Sequence, residues 1–300
     1  MTERASRPWV WVRIGTLVAA TAVLILLLRT VNWPAAIDAV RHASAGWLAL
    51  SVLGNTAVLV CWAAFWRALV PGDEPPVAYS RMLEIASGAS ALMNTLPIGF
   101  GHASCIPLLA RRAALSSRGA ISVLALDQLG EGIVKVSIYL SVALLVPLPT
   151  WMRAGVATAC IGVAIWFVVM AVASRWAGEL AILRDWRRSL TALGLVSAMK
   201  AVQLAAIVAA QRAFGVHVGV PGSLLVLATI LLASMIPGAP GNLGTYEAVV
   251  FVAYRHLGIA PSHAVSLAIV QHVSFLIPAV APGYLAFGSR ALSRSAMASR

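Results

Sequence analysis

Charge is what this sequence has least of. Only 11% of its 300 residues are Asp, Glu, Lys or Arg, and the acids number 10. Soluble domains carry roughly 25% charged residues, so no part of the chain has the composition of a soluble catalytic domain. The longest polar stretch, residues 174–189, reads as a linker. Cysteine is equally scarce. Cys61, Cys105 and Cys160 stand far apart, odd in number, in or beside apolar segments. That excludes a disulfide framework and leaves them as small buried hydrophobes. His102 and Cys105 are only two zinc ligands where a structural site takes four, so no metal and no cofactor is expected. The sequence also lacks a basic stripe interleaved with aromatics. Its net charge of +12 is therefore not the footprint of a nucleic-acid binder.

What is present is apolar: 60% of the residues are hydrophobic. A membrane span needs about 20 such residues, and the candidates are roughly 10–31, 47–70, 79–96, 119–147, 151–174, 190–213, 222–257 and 262–288. The stretch 34–46 is short and mixed and reads as an interfacial helix leading into Trp47. Arg4, Arg7 and Arg13 precede the first run, which continues to Leu28 without a small-residue cleavage site and so reads as an uncleaved span. Most tryptophans fall near span ends, as an aromatic belt requires. The expected class is an all-α polytopic membrane protein with one membrane domain over 1–300.

Two segments are not simple crossings. In 222–257, Pro237, Gly238, Pro240, Gly241, Asn242, Gly244, Thr245 and Glu247 interrupt the middle of a hydrophobic run. In 79–113, Asn94, Pro97, Gly101 and His102 do the same. Irregular backbone at membrane depth is tolerated only when it is buried in protein or lines a cavity. If each segment is a re-entrant helical hairpin, about six full crossings remain and both termini lie on one side. The arginines agree with that side being cytoplasmic, because only Arg29, Arg41, Arg153, Arg212 and Arg255 fall outside. The two hairpins would then open to opposite sides, making 1–148 and 149–300 the halves of an inverted repeat. Pro97 and Gly101 repeat the spacing of Pro237 and Gly241, and Glu131 and Gln271 follow the two prolines at equal distance.

The residues able to carry chemistry are few. Glu247 opens the helix after the second break, whose N-terminal amides favour anions; the plain reading is an acid that caps its own helix. Asp127, Glu131 and Lys135 recur every four residues on one helical face, with Gln128 alongside. Glu131 precedes Lys135 in the order that favours an ion pair. Asp127 and Glu131 repel each other, so one needs a cation or a proton. Lys200, a turn from Gln203, is available to neutralise Asp127 or Glu247 or to meet a phosphate. Gln271 and His272 sit within the last span, His272 either as a hydrogen-bonded core histidine or as a site group. Glu84 reads as the interfacial partner of Arg81. The acids Glu84, Asp127, Glu131 and Glu247 outnumber the deep lysines, which would make a shared cavity net negative. The run Gly101-His102-Ala103-Ser104-Cys105 has no orienting acid for hydrolytic chemistry.

The run Ser234-Met-Ile-Pro-Gly-Ala-Pro-Gly-Asn-Leu-Gly-Thr-Tyr-Glu247 resembles the signature of a flippase-like membrane family that includes the transmembrane region of lysylphosphatidylglycerol synthases. Leu96 to Cys105 with Arg111-Arg112, and Asp127-Gln128-Leu129-Gly130-Glu131, are similar to two further motifs of that family. The acid and arginine of the first are His102 and Cys105 here; the arginine of the second is Gln128. Gln271-His272 stands where an arginine is usual. The resemblance implies a protein of the bacterial inner membrane that translocates lipids or lipid-linked precursors between leaflets. It does not imply lysyl transfer, so no enzyme activity is expected. Membrane lipid is the expected partner, with a lipid-synthesis or glycosyltransferase complex beside it. The competing readings are a membrane-embedded enzyme on lipid or polyprenyl substrates and a non-catalytic subunit of such a complex.

Overall fold

Side-chain caps fix where the long helices begin. Ser116 accepts the Gly119 amide at 2.9 Å, and Asp185 accepts those of Arg187 and Arg188 at 3.1 and 3.3 Å; each oxygen satisfies donors that a helix start leaves orphaned. The computed structural model describes residues 33–96, 100–148, 150–177, 185–235 and 240–298. Among them every regular element is helical. In chain order they are α1 (Trp33–Arg41), α2 (Ala45–Leu69), α3 (Tyr79–Thr95), α4 (Phe100–Arg112), α5 (Ser117–Leu145), α6 (Thr150–Ala177), α7 (Trp186–Ala213) and α8 (Gly219–Ala233). A short 3-10 turn (Pro240–Asn242), α9 (Thr245–His256) and α10 (Pro261–Ala298) complete the order.

Four described helices are long and apolar enough to cross a bilayer: α2, α5, α7 and α10 over Pro261–Ala286. The apolar part of α6 is shorter, Met152–Ile165, as is α8. The expected first span, 10–31, lies outside the described residues, as do Pro97, Pro237 and Gly238. The run 222–257 is broken as its prolines and glycines require, with α8 ending at Ala233 and α9 starting at Thr245.

Helices in lipid gain nothing from burying leucine against leucine, so close backbone approach through small residues holds them together. Gly54 brings α2 onto α7, where a β-carbon would sit 2.9 Å from that of Ala206. Ser51 of α2 donates to the Ala206 carbonyl at 2.9 Å and pairs with Ser274 of α10 at 3.1 Å. On α3 the run Ser87, Gly88, Ala89, Ser90, Ala91 is wholly buried, and Gly283 of α10 lies directly on it. Gly101, at the start of α4, abuts the end of α3: its β-carbon would come 2.7 Å from the Met93 Cα. The tips of α3 and α4 therefore close on each other. At the other end of the pair Arg112 holds Glu84 at 2.6 Å. Arg81, the partner the sequence offers Glu84, stands farther off at 3.8 Å.

Candidate functional site

The second break is built from left-handed backbone. Gly241 and Gly244 adopt φ of 65° and 84°, and Asn242 between them adopts 55°. Glycine takes such angles without a Cβ clash, and asparagine is among the few other residues that do so readily. The turn ends where Glu247 reaches back to accept the Gly244 amide at 2.8 Å. Its other carboxylate oxygen meets Nδ1 of His272 at 2.8 Å, and Nε2 of the same ring meets the Gly241 carbonyl at 2.9 Å. A carbonyl only accepts, so Nε2 carries hydrogen and one proton lies between Nδ1 and Glu247. Tyr246 stacks on the imidazole with ring centroids 4.1 Å apart. Glu247 thus caps its own helix and is tied to α10 besides. A Gly241→Ala substitution is expected to lose about 1–2 kcal/mol from left-handed strain, and its methyl would press on the Asn94 carbonyl at 3.2 Å. Thermal unfolding of the variant in detergent checks this.

That contact also joins the two breaks, since Asn94 is on the last turn of α3. Between them opens a cavity of about 280 Å³. Glu131, Lys135, Lys200, Gln203, Asn242, Tyr246 and Gln271 line it, with Asn55 and Asn94. Glu131 is clamped by both lysines, Lys200 at 2.9 Å and Lys135 at 3.5 Å. Lys200 therefore serves Glu131, not Asp127 or Glu247. Gln271 is fixed at both ends: it accepts from Tyr254 at 2.8 Å and donates to Tyr246 at 3.1 Å. Behind it Gln211 donates to Tyr254 and accepts from Ser223, so a hydrogen-bonded file runs from α8 to the cavity wall. The Gln203 amide oxygen is buried with no partner among the described residues.

Other expected site residues stand elsewhere. Asp127 is 2% exposed and accepts the indole N–H groups of Trp62 and Trp66, each at 2.9 Å, and the Gln128 amide at 3.0 Å. Trp62 lines the cavity, so an indole separates this carboxylate from it. Asp127 and Gln128 form a structural anchor between α2 and α5. Gly101 works in packing, and His102 is exposed on α4 and does not line the cavity. Thr245 is buried, with a hydroxyl lacking a partner among the described residues. Glu84 is with the arginines of α3 and α4. The cavity wall thus holds two lysines and one carboxylate, a net positive set where the bare count of acids suggested a negative one. Sequence reasoning missed Trp62, Trp66, Asn55, Tyr246, Tyr254 and Gln211. Only the four-residue spacing of the two tryptophans offered a signal.

Long apolar helices, small-residue packing and a charged cavity beside a broken helix define a multi-pass integral membrane protein. The model of the lysylphosphatidylglycerol synthase transmembrane region matches residues 12–283, and the chain belongs to that family. The membership connects the protein to membrane lipid. No curated protein matches the chain.

Proposed function

We propose that this protein moves a lipid or lipid-linked precursor between the leaflets of the bacterial inner membrane. The observation that carries the reading is the cavity where the end of α3 meets the second break, lined by Glu131, Lys135 and Lys200. Transporters place their sites near the bilayer midplane between broken helices. In this reading 79–113 and 222–257 are re-entrant hairpins of opposite orientation, about six crossings surround them, and both termini are cytoplasmic. The halves 1–148 and 149–300 are inverted copies. Glu131 and Gln271, at matching distances from Pro97 and Pro237, both lie on the cavity wall, which supports the symmetry.

The chemistry favours an anionic headgroup. Lys135 and Lys200 take its phosphate, while Glu131 offsets one of their two charges when the cavity is empty. Asn242, Gln203 and Asn94 offer amides to the remainder, and the helix start at Thr245 stays closed by its own acid. The protein acts without cofactor and without covalent chemistry, receiving its substrate from a lipid-synthesis or glycosyltransferase complex. Leaflet-resolved lipid transport in liposomes tests this with wild type and Glu247→Gln. The amide weakens a charge-assisted hydrogen bond contributing roughly 1.5–3 kcal/mol, so transport is expected to fall at least about tenfold. A wild-type rate in the variant would show that transport does not depend on Glu247 holding the second break to His272. An absence of movement across a broad lipid panel would count against translocation itself.

A further inference from the structure

A second opening lies on the far side of α3 from the cavity. It is a groove of about 610 Å³ between α3 and α4, bordered by Arg81, Arg111 and Arg112, with Leu92, Pro107 and Leu108 along its length. Arg81 is at the start of α3 and the other two arginines end α4. The short connection at the opposite end makes the pair antiparallel, so all three guanidinium groups gather at one mouth. Leu92 is eleven residues beyond Arg81, about 16 Å along the helix at 1.5 Å per residue. The groove is therefore basic at its rim and mainly apolar toward the break, where Ser104 also lines it with its hydroxyl spent on the Gly101 carbonyl at 2.6 Å.

Glu84 is the acid paired at the mouth, taken by Arg112 at 2.6 Å with Arg81 at 3.8 Å. Three arginines against one glutamate leave two positive charges. Arg81 and Arg111 are both exposed. Their planar groups suit phosphate oxygens. The apolar length behind them suits a hydrocarbon chain and not a soluble anion. Basic recesses between membrane helices bind anionic lipid headgroups in this way.

We propose that this groove holds an anionic phospholipid, its phosphate on Arg81 and Arg111 and one acyl chain along Leu92, Pro107 and Leu108. The site is separate from the central cavity, with the tip of α3 as the wall between them: Leu92 faces the groove, Met93 and Asn94 the cavity. Lipid held here is bound whether or not the protein transports.

Native mass spectrometry of the full chain, released from nanodiscs of phosphatidylglycerol or of phosphatidylcholine, reads the occupancy directly. Wild type is expected to retain phosphatidylglycerol and to shed phosphatidylcholine. The double variant Arg81→Gln, Arg111→Gln should weaken retention roughly tenfold or more, taking about 1 kcal/mol for each arginine near a membrane surface. Arg153→Gln, an exposed arginine that borders neither opening, should leave this retention unchanged. If the double variant fails to fold, Arg111→Gln alone is expected to lower retention measurably. Equal retention of the two lipids, or undiminished retention in the arginine variants, overturns the assignment. Displacement of the lipid by millimolar inorganic phosphate would overturn it too, since an anion site without a chain would then suffice.

Discussion

Glu131→Gln is expected to destabilise the protein by about 3–5 kcal/mol, the usual result of removing one partner from a buried ion pair. Glu131 is a carboxylate held between two ammonium groups, its side chain 12% exposed and those of Lys200 and Lys135 10% and 18%. With glutamine in its place the lysines face each other across a low-dielectric space, where like charges repel far more strongly than in water. Thermal unfolding in detergent should show the loss. Adding Lys200→Met removes the repulsion and should return most of it. A double variant no more stable than Glu131→Gln would mean that the triad does not act through charge.

Gly283→Val is expected to be nearly as damaging for a different reason. Even a bare β-carbon at this position would overlap the Ser87 carbonyl oxygen and come 2.6 Å from the Ala91 β-carbon. The obstruction at Ser87 is backbone, which cannot rotate away. Overpacking of a close interface costs typically 1–3 kcal/mol and occasionally more, and valine should reach the upper end by forcing α10 off α3. Because α3 and α10 both contribute to the cavity, the variant should lose whatever binds there along with stability. Full stability in Gly283→Val would contradict this helix contact.

Most helices were legible because a hydrophobic run is a local signal. The stretches 47–70, 79–96 and 119–147 differ from α2, α3 and α5 by no more than two residues at either end. The break before Glu247 was legible for the same reason, since prolines and glycines state their backbone needs on the spot. Partnerships were less so. The four-residue recurrence of Asp127, Glu131 and Lys135 correctly puts them on one face, yet cannot reveal that Trp62 and Trp66 of another helix claim Asp127 while Lys200 comes to Glu131. Those choices depend on how helices distant in sequence are set side by side. Counting acids against lysines therefore misjudged the sign of the cavity, because three of the four acids are consumed elsewhere: Glu84 by Arg112, Asp127 by the indoles, and Glu247 by its own helix and His272.

His272 has no ring nitrogen to spare. One holds the Gly241 carbonyl and the other the Glu247 carboxylate, and both groups belong to the same turn. The imidazole is in effect a crossbar on a clasp, pinned to α10 at its base and hooked at either end of the loop. Mechanically, the second break and this stretch of α10 form a single part. Sliding the loop along the helix would unhook one end of the crossbar, so the pair must tilt or shift together, as one lever.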